Sequence, residues 1–273
     1  MSEPRGRLMA GERQREIMRL LGDAGSLRIG DLVGTFEVSD ETIRRDLAIL
    51  QEQGLLTRTH GGAIADGVHQ ESTFQRRARE FQPEKDAIAR AAADLVEDGS
   101  TIILDSGTTM RALATHLRHK QDLVVITNGI NNTDELLANP TLTLVVTGGV
   151  VRRATVGAAG ELAVATLKSL RADHTFIATQ GFSAEGGMTY PSFDEVAVKR
   201  ALIESGSQVT LLADASKCGR ESMVRIAPLT DVNRIITSRP IPEDEQIRIR
   251  ELGVELLITG DEPTRDSSAD GQP

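Results

Sequence analysis

Two groups of residues in this chain have the types and spacing to do chemistry. The first is Ser39-Asp40-Glu41-Thr42-Ile43-Arg44-Arg45. An arginine can fork onto O6 and N7 of guanine and a glutamate can accept from N4 of cytosine, so Arg45 and Glu41 are candidate base readers. Arg44 is better suited to phosphate, which positions a protein on DNA without specifying sequence. The second is Asp105-Ser106-Gly107-Thr108-Thr109. There a glycine lets backbone N–H groups approach an anion, the hydroxyls add donors, and a following helix supplies positive potential at its N-terminus. That is a phosphate cradle, although Ser, Gly and Thr also populate ordinary strand-to-helix turns. Similar loops recur at Asn128-Gly129 and at Gly148-Gly149, the latter followed by Arg152 and Arg153. An arginine near a glycine pair can meet a phosphate, and a surface role serves Arg153 equally well. Glu195 and Lys199 stand in the favourable i, i+4 order on a helix, which can equally be a surface ion pair. Asp214 and Lys217 close another apolar run. Only five lysines accompany twenty-six arginines, and two of the five fall in these groups, where a compact point charge is wanted.

The elements that must position these groups can be read in order. A helix fits Gly11 to Leu21, burying Ile17, Leu20 and Leu21, and a second fits Ile29 to Thr35 with Leu32, Val33 and Phe36 inward. The third starts at Ser39, a preferred N-cap type, with Asp40 and Glu41 at its positive end. Its Ile43, Leu47 and Leu50 form a narrow apolar stripe, leaving Glu41, Arg45 and Ala48 roughly opposite and Thr42 and Arg44 on the flanks. On this stretch alone an ordinary surface helix would look the same. Gly54 stops it. Next, Leu55–Ile64 reads as a β-hairpin around Gly61-Gly62, carrying Arg58 and His60 near its tip, placed for phosphates. Three helices and a wing, with the third helix polar in front, make a winged helix-turn-helix over residues 1–65.

Residues 66–83 read as a linker. Its Arg76-Arg77-Ala78-Arg79 is either a solvated helix face or a basic connector along the DNA backbone, and Pro83 marks the boundary. From Glu84 to residue 261 a helix over 84–97 leads into short apolar runs. These are Thr101–Leu104, Leu123–Thr127, Leu142–Thr147, His174–Thr179, Val209–Ala213, Arg234–Thr237 and Val254–Thr259, with helices such as Arg111–Leu117 and Glu195–Glu204 between them. This is an α/β domain with a mostly parallel sheet, whose ligands belong at the carboxyl ends of the strands. Residues 262–273, rich in Asp, Ser, Pro and Gly, read as a disordered tail.

Composition narrows the function. With 273 residues, 39% hydrophobic and 26% charged, the chain has material for two globular domains. No apolar run approaches a membrane span and the start lacks a signal-peptide core, so no membrane association is expected. One cysteine, Cys218, excludes an internal disulfide framework and a cysteine-based zinc site, which fits the cytoplasm. The net charge of −9 requires any DNA contact to be a local patch. Residues 1–65 hold nine Arg against ten Asp and Glu, which speaks against DNA binding unless the arginines are suitably placed.

The order Arg13-Gln14-Arg15-Glu16-Ile17, Val38-Ser39, Thr42-Ile43-Arg44-Arg45-Asp46-Leu47 and Arg58-Thr59-His60-Gly61-Gly62-Ala63 resembles the DNA-binding domain of the DeoR family of bacterial transcriptional regulators. The resemblance places Ser39, Thr42, Arg44 and Arg45 at the DNA surface. Asp46 is expected to pair with a neighbouring arginine, and His60 serves a turn or a contact equally well. The later loops resemble the sensor domain of the same family, which is similar in fold to ribose-5-phosphate isomerase. That likeness implies that Ser106, Gly107, Thr108 and Thr109 hold a phosphate. It implies further that Asp105, Asn128, Glu195, Lys199, Asp214 and Lys217 face the hydroxyls or carbonyl of a sugar. The expected partners are therefore double-stranded operator DNA, a phosphorylated sugar effector and further copies of the chain, as a dimer or tetramer. No P-loop, dinucleotide fingerprint or metal-ligand spacing among the five histidines is present, so no cofactor is expected. A repressor of a sugar-catabolic operon is the reading that absorbs most features, with an activator of the same type as the alternative. An isomerase using Glu195 or Asp214 as base beside Lys217 would leave the winged domain without a purpose.

Overall fold

The computed structural model describes residues 9–24, 26–52, 56–59, 61–65 and 74–259. His60, the stop at Gly54 and the expected tail lie outside the described residues. The chain divides into two units, Met1–Arg76 and Arg77–Pro273.

In the first unit, α1 (Ala10–Ala24), α2 (Ile29–Phe36) and α3 (Asp40–Glu52) enclose one apolar core. Ile17 and Leu21 of α1, Leu32 and Phe36 of α2, and Ile43, Leu47 and Leu50 of α3 meet there, so the stripe of α3 is its buried back. The Oγ of Ser39 accepts the Thr42 amide at 3.3 Å and bonds the Thr42 hydroxyl at 2.9 Å, adding to the Thr42 amide's 3.0 Å bond to the Ser39 carbonyl oxygen at the helix start. Three strands form a small antiparallel sheet in the order β1-β3-β2: β1 (Ser26–Arg28), β2 (Leu56–Thr59) and β3 (Gly62–Ala65). The wing hairpin is β2–β3, with Arg58 opposite Ala63 and Thr59 opposite Gly62. Strand β1 has three residues and no sequence signal of its own. It becomes a strand because β3 offers it an edge, and Gly62 admits it: a Cβ there would lie 1.9 Å from the Leu27 carbonyl oxygen.

Helix α4 (Phe74–Arg79) crosses the division in sequence, and α5 (Gln82–Ala93) follows. Pro83 sits in the first turn of α5, where a missing N–H costs nothing, and Phe81 before it takes a left-handed conformation. Pro83, expected to mark the end of the linker, thus lies in the first turn of a helix that already includes Gln82. Strand β4 (Thr101–Leu104), α6 (Thr108–His116), β5 (Val124–Thr127), α7 (Thr133–Leu137) and β6 (Thr143–Val146) come next. A hairpin of β7 (Val150–Arg152) and β8 (Gly157–Ala159) leads into α8 (Glu161–Lys168), β9 (Ala172–Ala178), β10 (Gly181–Ser183) and β11 (Gly187–Tyr190). The unit is completed by α9 (Phe193–Ser205), β12 (Gly206–Leu212), β13 (Val224–Ala227), β14 (Arg234–Thr237), α10 (Glu243–Glu251) and β15 (Glu255–Ile258).

Seven strands make a wholly parallel sheet in the order β15-β14-β12-β9-β4-β5-β6. Both faces are covered, as a parallel sheet requires. Ile102 and Leu104 pack with Ile88, Met110 and Leu113 of α5 and α6, while Ile103 between them packs on the opposite side with Ala163, Leu167 and Leu202 of α8 and α9. A third cluster joins Ile177, Leu211 and Ile235 to Phe182, Met188 and Ile226 of the small antiparallel sheet β10-β11-β13. Among the described residues no helix is long and apolar enough to cross a membrane.

One polar contact ties the first unit together. The Arg13 Nε donates to Asp46 Oδ2 at 2.5 Å and Gln14 Nε2 to Asp46 Oδ1 at 2.9 Å, joining α1 to α3 where Asp46 is only 3% exposed. Removing one side of a buried ion pair strands the other. Asp46→Ala should therefore destabilise this unit by about 3 kcal/mol in denaturant unfolding. A loss under about 1 kcal/mol would show that the pair does not hold the two helices.

Candidate functional site

With its back buried, α3 leaves Ser39, Glu41, Arg44 and Arg45 exposed and Thr42 half-buried, and Arg58 is exposed on the wing. The residues expected at the DNA surface thus form one accessible set in the first unit, apart from His60. Arg44 pairs with Asp40 one turn earlier, and that carboxylate raises its already high pKa. Such an exposed i, i+4 pair contributes little, so a phosphate can replace Asp40 as the partner of Arg44. The Asp40 pairing leaves Arg45 as the arginine aimed away from the core without a neighbour on its own helix to hold it, among the described contacts.

In the second unit the chain winds from β4 to β5 and β6 on one side, then returns to place β9, β12, β14 and β15 on the other. Loops leaving β4 and β9 therefore part company, and a crevice opens at their carboxyl ends, where α/β sheets bind ligands. The cleft there encloses about 550 Å³, its open mouth included. Ser106, Gly107, Thr108 and Thr109 line one side, Ala178, Thr179 and Gln180 another, and Asp214 and Lys217 a third. Gly107 has φ 119°, a conformation that an L side chain rarely adopts, and it turns the chain into α6. The first intrahelical bond is Arg111 N to Gly107 O at 3.1 Å, so the amides of Thr108, Thr109 and Met110 have no intrahelical acceptor.

Beneath this loop Asp105 is fully buried. Its Oδ1 accepts the Ser106 amide at 2.7 Å, and its Oδ2 accepts the Ala178 amide at 3.1 Å and Lys199 Nζ at 2.5 Å. The same ammonium donates to Ala178 O at 2.9 Å and lies 4.4 Å from the centre of the Tyr190 ring. Glu195 is also buried, one helical turn from Lys199 but in separate company: it lies 3.2 Å from Arg152 Nη1 and accepts the Thr155 hydroxyl at 2.7 Å. The surface pairing open to Glu195 and Lys199 is thus not what forms, since both are buried with distant partners.

The expected effector residues fall into two groups. Ser106, Gly107, Thr108, Thr109, Lys199, Asp214 and Lys217 line the cleft. Asp105, Asn128, Gly148, Gly149, Arg152 and Glu195 do not line it. Asn128 donates to Ala158 O at 3.3 Å, Gly148 and Gly149 form the turn between β6 and β7, and Arg152 and Glu195 brace the β7–β8 hairpin. That hairpin backs onto the cradle, since a Cβ at Gly157 would lie 2.6 Å from Ser106 Oγ.

Sequence patterns do not point to Arg77, Glu80, Lys85, Gln180 or Tyr190, all of which line the cleft. Lys85 Nζ donates to the carbonyl oxygens of Arg77 and Glu80, the latter at 2.6 Å, and tethers α4 to α5. Its burial lowers its pKa to about 8; Asp214 and Glu80 oppose that shift, while Lys217 and Arg77 reinforce it. Burial also lowers Lys217, again against the pull of Asp214. Four basic side chains, Arg77, Lys85, Lys199 and Lys217, line this cleft together with the acids Glu80 and Asp214.

The family model of the DeoR C terminal sensor domain matches residues 80–239, and that of the DeoR-like helix-turn-helix domain matches residues 13–67. The chain belongs to the DeoR family of transcriptional regulators. It is 36% identical to the HTH-type transcriptional regulator YgbI of Escherichia coli (strain K12), over 92% of this chain and 98% of that one. It is 34% identical to the glycerol-3-phosphate regulon repressor of Haemophilus influenzae (90% and 96%) and 32% identical to a putative aga operon transcriptional repressor of Escherichia coli O157:H7 (92% and 94%).

The exposed arginines separate by role in one experiment. Arg45→Ala should cost about 1–3 kcal/mol of operator affinity and relax preference at one base. Arg44→Ala should weaken binding to all sequences and reduce the salt slope by about one. Identical behaviour of the two in anisotropy titrations against single-base operator variants would contradict this division.

Proposed function

We propose that the protein is a cytoplasmic repressor of a sugar-catabolic operon whose operator affinity falls when a phosphorylated sugar occupies the cleft. The observation that carries this reading is the cradle Ser106–Thr109 at the start of α6, opening into a cleft that also presents Lys85, Lys199 and Lys217. The phosphate takes the free amides and hydroxyls of the cradle, while Asp214, Lys217 and Lys199 meet hydroxyls or the carbonyl. Asp105 acts by holding Lys199 and the Ser106 amide. Asn128, Gly148, Gly149, Arg152 and Glu195 act by supporting the turn and hairpin behind the cradle. The relatives named as repressors of a glycerol-3-phosphate regulon and an aga operon favour repression over activation. Two copies of the chain bring two reading helices to half-sites separated by whole helical turns. For the sugar to act, it must bind the weakly DNA-bound arrangement better than the other.

Anisotropy titrations of fragments upstream of the chain's own gene and its neighbours, with and without a panel of sugar phosphates, test the proposal. A specific complex released by one of them is expected; no specific complex on any fragment would contradict it. In the same assay Thr108→Val should lose release by the sugar, and unchanged release would take Thr108 out of the site. Affinity for inorganic phosphate should also weaken as the pH rises from about 7 to about 9.5, because Lys85 loses its charge around 8 and the neutral amine no longer attracts the dianion. Asp214, Glu80, Lys217 and Arg77 face that amine, and only Lys217 among them is another cation lowered by burial. Calorimetric titration showing pH-independent affinity would remove these lysines' charges from the binding step.

A further inference from the structure

We propose that Arg77 of α4 is an anion-binding residue of the cleft, so that the charged group of the ligand is held jointly by the Ser106–Thr109 loop and by the helix that precedes the sensor sheet. The inference rests on the cleft being the effector site and names a contact within it.

Arg77 is 7% exposed, and a guanidinium does not neutralise itself by losing a proton. Burying one is costly unless its donors are met. Nη2 donates to Ala154 O at 2.7 Å, whereas Nη1 is buried and has no hydrogen-bond partner among the described residues. Arg77 lines the cleft that the cradle also lines, so its guanidinium stands at the same cavity with one donor unmet. The two are linked through one support. Ala154 lies in the turn of the β7–β8 hairpin, and Gly157 of that hairpin presses on Ser106. The hairpin thus touches both the guanidinium and the cradle.

The other cations around the cleft are occupied differently. Lys199 is held by Asp105 and the Ala178 carbonyl, Lys85 by two carbonyls, and Lys217 has Asp214 nearby. A guanidinium with one nitrogen fixed and another unmet suits an oxyanion, which it binds through a fork with charge-assisted hydrogen bonds. The position of Arg77 gives the contact a regulatory sense. Lys85 bonds the Arg77 main-chain carbonyl, so side chain and backbone of this residue are both anchored in the sensor unit, and α4 continues from it toward Phe74 and the DNA-reading unit in sequence. An anion seated against Arg77 stabilises α4 directly, and the connection to the reading head begins at the ligand itself.

The test uses the full chain with inorganic phosphate as probe, measured by calorimetry and by hydrogen exchange of residues 74–85. In the wild type, phosphate should bind and slow exchange across this segment. Arg77→Gln should weaken phosphate binding at least tenfold and abolish the slowing, and Arg77→Lys should restore part of the affinity because it keeps the charge without the fork. Far-UV circular dichroism establishes that each variant is folded; should Arg77→Gln unfold, Arg77→Lys decides alone, with at least threefold weaker binding than wild type expected. Thr108→Val separates the two levels of the claim. Loss of binding in Thr108→Val with wild-type affinity and wild-type slowing in both Arg77 variants would overturn the role of Arg77 and leave the cleft standing. No phosphate binding by the wild type, or none lost in Thr108→Val, would overturn the cleft and this inference with it.

Discussion

The ion pair of Asp105 and Lys199 is the constraint on which the sensor unit depends. Neither partner is more than 2% exposed, so each would be costly to bury without the other. The carboxylate also takes the Ser106 and Ala178 amides, and the ammonium takes the Ala178 carbonyl. One pair thus fixes the end of β4, the end of β9 and the middle of α9 in a single arrangement. Ser106–Thr109 inherits its position from that arrangement: the Ser106 amide is held by Asp105, while the amides of Thr108 and Thr109 have no intrahelical acceptor. Asp105 and Lys199 were both expected beside a sugar; the geometry makes Asp105 the support and leaves only Lys199 at the cleft wall.

The reading unit follows a similar logic. Asp46 spends its charge inside, holding Arg13 and Gln14, and this frees the outer face of α3 for Glu41, Arg44 and Arg45. A chain with net charge −9 can still meet DNA through a local patch: two acids of α3 are taken up within the protein, Asp46 by burial against Arg13 and Asp40 by an exposed pair with Arg44. Steering by overall charge is absent. Affinity must come from a few local contacts, and salt sensitivity should report those contacts.

Much of this architecture is legible because its signals are local. The stripe Ile43, Leu47, Leu50, the cap Ser39 and the glycines of the wing identify the winged helix without reference to anything distant. Short apolar runs identify the sheet, and Ser106–Thr109 stands out because a strand ends and a helix begins there. What is not legible depends on contacts far apart in sequence. Glu195 and Lys199 share a helix face by spacing, but their partners Arg152 and Asp105 come from other strands' ends. Arg77 sits in a run of arginines that reads as solvated, and only the Ala154 turn, seventy-seven positions on, draws it inside. Strands β1, β7, β8 and β10 have three residues each, too few for an alternating pattern to register, and form because an edge is available.

In the proposed repressor the cleft and the reading helix are thermodynamically coupled, and coupling between two binding sites is reciprocal. The most direct measurement is the affinity of the free protein and of the operator-bound protein for the sugar phosphate that releases DNA. Saturating operator should weaken sugar-phosphate binding by the same factor as the sugar phosphate weakens operator binding. Equal affinity in the two states would contradict it.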